Sequence, residues 1–321
     1  MITHQEVYAF LKKKPTLSYA GLTKEAGLPT GTLAKAMSGQ RTLTDTHLRA
    51  LEPVLVQYGF EEFRNRRAIV LAVVNHKGGV GKTTTTINLG KGLVNRDQSV
   101  LMIDMDSQGN LSQSLGIHNP ENQLLQALTR NAPLPVMTLS DRYDVVPSDL
   151  ELARAEAELI KTPSGVLRFR NALAPFRAQY DYILIDCPPS LNIFTYSALV
   201  ASTAALVVLE PEASAVKGMY NLLELIFDIK ESFNPRLKVE GIVMAQVNPQ
   251  LVLHRELMSK VRGDLKGQPF FKTEIRQNIA IAESQYVGKT IFDYKANSAG
   301  SVDYQSLADE VLAKNDSFSF A

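Results

Sequence analysis

From residue 68 onward, short apolar runs alternate with longer amphipathic stretches. The runs 68–75, 99–106, 143–148, 180–186, 204–210 and 239–248 are nearly continuous in apolar residues, the pattern of strands buried on both faces. The stretches between them predict crossover helices, and together they predict an α/β domain with a mostly parallel, twisted sheet flanked by helices. Residues 1–60 have no long β-branched run and carry helix-start signals instead. Thr3 with Glu6 reads as a capping box opening a short helix with Val7, Phe10 and Leu11 on one side, and Pro15 ends it. Residues 18–26, 27–29 and 30–38 predict a helix, a tight turn and a second helix. Gly27 would be the left-handed turn residue and Thr30 the cap of the second helix. Leu22, Ala26, Leu28, Leu33 and Ala36 fall at spacings that pack the pair, and an amphipathic helix follows through Leu48, Leu51 and Leu55. The expected organisation is a small all-α domain over 1–60, a charged, solvated linker over 61–67, an α/β domain over 68–315 and a disordered tail over 316–321.

Composition sharpens this picture in two places. The 321 residues are 45% hydrophobic and 21% charged, enough for a sizeable core. A single cysteine, Cys187, excludes an intramolecular disulfide, a thiolate zinc site and a protein-bound iron–sulfur cluster within one chain, and it fits a reducing compartment. No apolar run approaches the ~20 residues of a membrane span, so a cytoplasmic location is expected. The net charge of +1 conceals a division: residues 1–67 carry ten Lys and Arg against six Asp and Glu, and the remainder 24 against 27. Any binding of a polyanion must therefore be local.

The first apolar run leads directly into His76, Lys77, Gly78, Gly79, Val80, Gly81, Lys82, Thr83 and Thr84, followed by the helical pattern of Ile87, Leu89 and Leu93. In such a strand, glycine loop and helix, backbone N–H groups can cradle phosphates and the helix start adds partial positive charge. Lys82 would reach the outer phosphates, and the Thr83 hydroxyl would ligate Mg²⁺. The general phosphate-loop pattern has glycine where His76 stands. The form that fits in full is Lys-Gly-Gly-x-Gly-Lys-Thr, which resembles the deviant Walker A motif of the ParA/MinD family of ATPases. The resemblance spans about residues 68–315 and implies a P-loop NTPase fold, ATP and Mg²⁺ as cofactors, and an ATP-sandwich homodimer in which Lys77 reaches the phosphates bound by the partner subunit.

Two carboxylate motifs accompany the loop. Asp104 and Asp106, ahead of Ser107, Gln108, Gly109 and Asn110, stand at a strand's carboxyl end, where parallel-sheet ligands bind or where carboxylates simply cap a loop. They resemble the family's second motif, with Ser107 replacing its proline. By that resemblance Asp106 activates the attacking water and Asp104 supports the Mg²⁺ and phosphate-loop network. Asp186, after 183–185 and before Cys187, Pro188 and Pro189, resembles the Walker B carboxylate that holds Mg²⁺ through water. Cys187 reads as a packed neighbour of the site. Asn248 is either an adenine contact, as the family implies, or a turn residue.

The helix pair at 18–38 resembles the helix-turn-helix of Cro and phage-repressor proteins. As a DNA reader it would present Thr30, Thr32 and Lys35 to the major groove, with Gln40 and Arg41 on base edges or phosphate; the same geometry also occurs in protein-interaction bundles. Long members of the ParA family carry such a reader and repress their own operon. Members also bind DNA without sequence preference, which points to Arg255, Lys260, Arg262 and Arg276, though interleaved acids leave a solvated helix face as the alternative. The family reading implies a DNA-partition ATPase of the nucleoid, stimulated by a ParB-like centromere-binding partner. The alternatives are an ATP-sensing transcription regulator and a MinD-like positioning ATPase; against the latter, residues 309–321 lack a basic membrane-binding helix.

Overall fold

The computed structural model describes residues 2–65, 68–130, 132–212 and 215–316. The expected tail lies outside the described residues from 317 on, as do Arg66 and Arg67 of the expected linker. The chain divides into two compact units, Met1–Ala68 with Pro175–Asp181 and Ile69–Ala174 with Tyr182–Ala321.

The larger unit is built on one eight-stranded sheet. Its strands are β1 (Ile69–Val74), β2 (Val100–Asp104), β3 (Met137–Ser140), β4 (Tyr143–Val146), β5 (Tyr182–Asp186), β6 (Ala204–Leu209), β7 (Lys238–Val247) and β8 (Phe270–Arg276). Their order is β3-β4-β2-β5-β1-β6-β7-β8, and every pair is parallel except β3 with β4. All six apolar runs are strands. The two remaining strands, β3 and β8, are the edges of the sheet; β3 is largely exposed and β8 is mixed in burial, so neither has a continuous apolar run to announce it. Residues of β2, β5 and β6 are all buried, because helices cover both faces; at ~1.5–3 kcal/mol per Val, Leu or Ile, this burial is the main support of the sheet. The helices Lys82–Val94 and Ala299–Asp316 pack closely on one another. At their contact a Cβ on Gly92 would come within 3.0 Å of the Ala308 Cβ and 3.2 Å of the Tyr304 carbonyl oxygen.

This strand order makes the site. After β1 the chain crosses to β2 on one side, and after β5 it returns to β6 on the other, so the carboxyl ends of β2, β5 and β1 lie side by side at the reversal. The register pairs Asp104 with Asp186, and Val73 with Asp186.

The smaller unit contains helices His4–Lys13, Tyr19–Glu25, Thr32–Met37, Asp45–Gln57 and Phe60–Asn65. The capping box is present: Glu6 N donates to Thr3 Oγ1 and Thr3 N to Glu6 Oε2. Gly27 has φ +64°, as its turn role requires. The second helix of the pair differs from expectation. Gly31, at φ +81°, is its N-cap, and Thr30 makes no cap because the helix begins two residues later, at Thr32. The expected linker also differs: the chain is helical through Asn65, and Phe63 is buried against Phe10 and Phe60 with ring centroids 5.4 and 6.0 Å away. A stretch dense in charge still supplied an aromatic, Phe63, to the small core, which a charge count overlooks.

Candidate phosphate-binding site

The residues 75–84 start where β1 leaves the sheet. Asn75 is buried and fixes the departure: its amide donates to Val208 O at 2.6 Å, and its Oδ1 accepts from Lys77 N at 3.1 Å. Gly79 and Gly81 have φ of +79° and +98°, the left-handed backbone that turns their amides inward. A Cβ on Gly79 would meet no atom within 4 Å, so open space lies over the loop. Gly81 is the N-cap of the helix Lys82–Val94. Val80 is buried and anchors the loop to the core. Gln246, at φ +55° near the end of β7, donates its amide to Gly79 O at 2.6 Å.

His76, the residue at the general motif's glycine position, packs against the helix Ala215–Ser232 at Gly218. A Cβ there would lie 1.5 Å from the imidazole Cε1, so only glycine admits the ring. The His76 Nδ1 is buried without a hydrogen-bond partner, and burial, then Lys82 and Lys77, hold the imidazole pKa below its ordinary value.

Lys82 is 7% exposed and donates to Lys77 O at 2.9 Å; burial lowers its pKa although Asp186 and Asp106 oppose the shift. Thr83 Oγ1 donates to Asp186 Oδ2 at 2.7 Å, and Thr86 Oγ1 approaches Oδ1 at 3.4 Å. Burial pushes the Asp186 carboxyl up to about 7, against the opposing pull of Thr83 and Lys82. The Thr83 hydroxyl and Asp186 form a hard-oxygen donor pair, and the open space over Gly79 suits a phosphate, so the residues fit a magnesium-bound nucleotide.

The other two acids have separate surroundings. Asp104 is fully buried, accepting from Ser112 N (2.9 Å), Ser112 Oγ (2.7 Å) and Asp106 N (3.2 Å), and burial with the nearby Asp186 raises its pKa well above the usual carboxylate range. Its oxygens hold the loop 106–112 together, a scaffold role beneath the site. Asp106 is 6% exposed and uses Oδ1 to accept from Gln108 N at 3.0 Å. Gly109 brings that loop against the segment just past β4: its φ is +63°, and a Cβ would lie 2.8 Å from Ser148 O. Cys187 is buried and its thiol pKa is pushed well up, consistent with a packed neighbour.

The structure thus brings together Lys77, Gly78, Gly79, Gly81, Lys82, Thr83, Asp106 and Asp186. Thr84, on the first turn, accepts from Gln285 Nε2 at 3.1 Å. Asn248 Oδ1 accepts from Gln250 N at 3.1 Å, the turn contact anticipated as its alternative. The sequence reading missed Asn75, Gln246, Ser112 and Gly218; only Asn75, adjoining the motif, carried any local signal.

Of the expected DNA contacts, Thr30, Lys35, Gln40 and Arg41 are exposed. Thr32 is a correction: it is 1% exposed and its hydroxyl donates to Pro29 O at 2.6 Å, closing the turn that starts the helix, so it cannot face a groove. Arg255 and Lys260 are exposed on the helix Val252–Asp264. Arg262 pairs with Glu274 at 3.2 Å and lies over the Phe270 ring. Arg276 is held by Asp303 through Nη2 at 2.6 Å and Nε at 3.0 Å, so its charge is already answered within the chain. Among the described residues no helix is long and apolar enough to cross a membrane.

Comparison with known proteins gives consistent relatives. Residues 68–239 match a family described as an AAA domain. The chain is 39% identical over 252 residues to the chromosome partitioning protein ParA of Caulobacter vibrioides, covering 76% of this chain and 94% of that protein. It is 35% identical over 249 residues to the sporulation initiation inhibitor protein Soj of Bacillus subtilis, covering 76% and 98%. Among solved structures, cobyrinic acid a,c-diamide synthase from Mycobacterium smegmatis with bound ADP and magnesium superposes with a TM-score of 0.67 at 28% identity, over 76% of this chain and 94% of that one. The septum site-determining protein MinD from Pyrococcus horikoshii, complexed with Mg-ADP, gives 0.63 at 25% identity, over 76% and 96%.

Proposed function

The chain belongs to the ParA/MinD family of P-loop ATPases, and from that premise we propose that it is an ATP-dependent DNA-partition ATPase working as an ATP-sandwich homodimer. The observation that carries the reading is the meeting of Lys82, Thr83, Asp106 and Asp186 at the carboxyl ends of β1, β2 and β5, with Lys77 on the same loop.

The loop amides of 78–84 and Lys82 would hold the phosphates of ATP, and Thr83 with Asp186 would hold Mg²⁺. When bound, the metal draws charge from the nucleotide oxygens. Asp106, fixed through one oxygen by Gln108 N, orients the attacking water with the other. Lys77 of a second copy supplies the cation that neutralises charge developing on the transferred phosphoryl group, so hydrolysis follows dimerisation.

The ATP-bound dimer binds nucleoid DNA through Arg255 and Lys260, and a ParB-like centromere-binding partner stimulates hydrolysis and release. The smaller unit reads an operator through Thr30, Lys35, Gln40 and Arg41, giving autoregulation. Co-sedimentation with DNA of random sequence tests the reading: binding rises with ATP and falls steeply with salt. Equal binding with and without nucleotide would refute it, and ATP-dependent binding to liposomes would favour membrane positioning instead.

A further inference from the structure

Lys77 carries the trans contact in that reading, yet within the single chain its amine is already occupied. Lys77 Nζ lies 2.5 Å from Glu212 Oε1 and 3.5 Å from Glu210 Oε2. Both glutamates stand just past the end of β6, where Glu212 N donates to Glu210 O at 2.8 Å and Ala215 N to Glu212 O at 3.1 Å. The backbone around the pair is held as well. Asn75 bridges Val208 O and Lys77 N, which joins the start of the loop to the end of β6. His76, one residue before the lysine, seats on Gly218, one turn further along the same segment. Loop and segment are thereby joined at three places, and the lysine side chain is turned sideways toward its own chain.

We propose that Glu210 and Glu212 form a cis latch that holds Lys77 until the nucleotide of a second copy competes for it. This rests on the reading of Lys77 as the trans cation. Two carboxylates present about the charge that a magnesium-bound triphosphate presents, and a diphosphate presents less, so exchange is favoured by ATP and disfavoured by ADP. The latch is a positioning device: the glutamates act through the lysine and touch no nucleotide. It makes dimerisation dependent on the outer phosphate, beyond the requirement that ATP be bound.

The side chains are 40% (Lys77), 24% (Glu210) and 39% (Glu212) exposed, so the latch is solvent-screened and its strength is modest. Ion pairs of this exposure reduce the population of the free lysine by roughly 2–5-fold. A sandwich dimer opens two latches, so the effect on the dimerisation constant is the square, roughly 4–25-fold.

The test uses the full chain with Glu210→Gln, Glu212→Gln and the double substitution. In the nucleotide-free protein, Lys77 is labelled by an amine-acetylating reagent and followed by peptide mass spectrometry. The double variant should label roughly 2–5 times faster, with Glu212→Gln giving most of the gain because its contact is shorter; the single variants carry the test if the double one folds poorly. In ATP, sedimentation should show dimerisation tightened by roughly 4–25-fold. Labelling equal to wild type would overturn the latch, and faster labelling with unchanged dimerisation would overturn its regulatory role. Lys77→Ala separates the two levels: full stimulated hydrolysis in that variant would overturn the trans-lysine reading itself, whereas loss of hydrolysis with unchanged labelling in the glutamine variants would overturn the latch alone.

Discussion

Substituting Asp186→Asn changes the pH dependence of stability in a direction the structure fixes. The Asp186 carboxyl is raised from 3.8 to about 7 by burial, so between those values the folded chain holds a proton that the unfolded chain has released. Stability therefore rises as pH falls through the folded value, and is lost as pH rises through it. From pH 8 to pH 6 this one group contributes on the order of 1 kcal/mol, or roughly 3 °C in the melting midpoint of a domain of this size. His76 opposes it: its folded pKa is lowered, so the unfolded chain gains the proton first and stability falls with pH below the ordinary histidine value. The informative quantity is thus the difference between two chains. Thermal melts of nucleotide-free wild type and Asp186→Asn at pH 8 and pH 6 should show a wild-type midpoint that gains on the variant's by roughly 3 °C at the lower pH. With magnesium and nucleotide in excess the sign reverses, because the ion needs the carboxylate, and affinity at pH 6 should fall by up to ~10-fold. Identical pH slopes in both nucleotide-free chains would show that Asp186 titrates in the ordinary carboxylate range, and the picture of a buried, proton-holding Walker B acid would fail.

Two further substitutions follow from close contacts. Gly218→Ala places a methyl 1.5 Å from the His76 ring, so the phosphate loop must shift; equilibrium binding of a fluorescent ATP analogue should weaken at least tenfold while the far-ultraviolet circular dichroism is retained. In the smaller unit, Thr32→Ala removes the hydroxyl bonded to Pro29 O and should cost about 1 kcal/mol of stability, whereas Arg41→Ala should leave stability within ~0.5 kcal/mol and weaken operator binding. Chemical denaturation and a DNA mobility shift read the two effects separately.

The sheet was legible because each interior strand is buried on both faces, and double burial demands a run of apolar residues with no alternation. β3 was not, since an exposed four-residue edge strand pairs through its backbone and requires no apolar pattern. The phosphate loop was legible for a related reason: its chemistry is local, with amides, Lys82 and Thr83 within one turn of chain. The parts that escaped are those completed by distant residues. Gly218 meets His76 across 142 positions, Gln246 reaches Gly79 across 167, and no spacing rule connects either pair. Thr32 was misassigned because a threonine near a helix start serves equally as a contact or as a turn closure, and only its burial decides.

The three acids show the same limit at the level of chemistry. Asp104, Asp106 and Asp186 all stand at or just beyond strand ends, and as letters they are interchangeable. Their surroundings give them different work. Asp104 takes three donors from 106 and 112, which occupy most of its acceptor capacity. Asp186 faces a single strong donor, Thr83, in a fully buried position that disfavours its charge, so a cation there gains more than it would from a solvated carboxylate. Asp106 is at the rim with one oxygen fixed, which orients it without saturating it. A metal entering between Thr83 and Asp186 would convert a group that holds a proton at neutral pH into a ligand, and the same event would strengthen the field that Asp106 and Lys82 share. Nucleotide binding and carboxylate ionisation are then one coupled equilibrium, so the apparent affinity for magnesium nucleotide must carry the pH dependence of Asp186 even though Asp186 touches no phosphate.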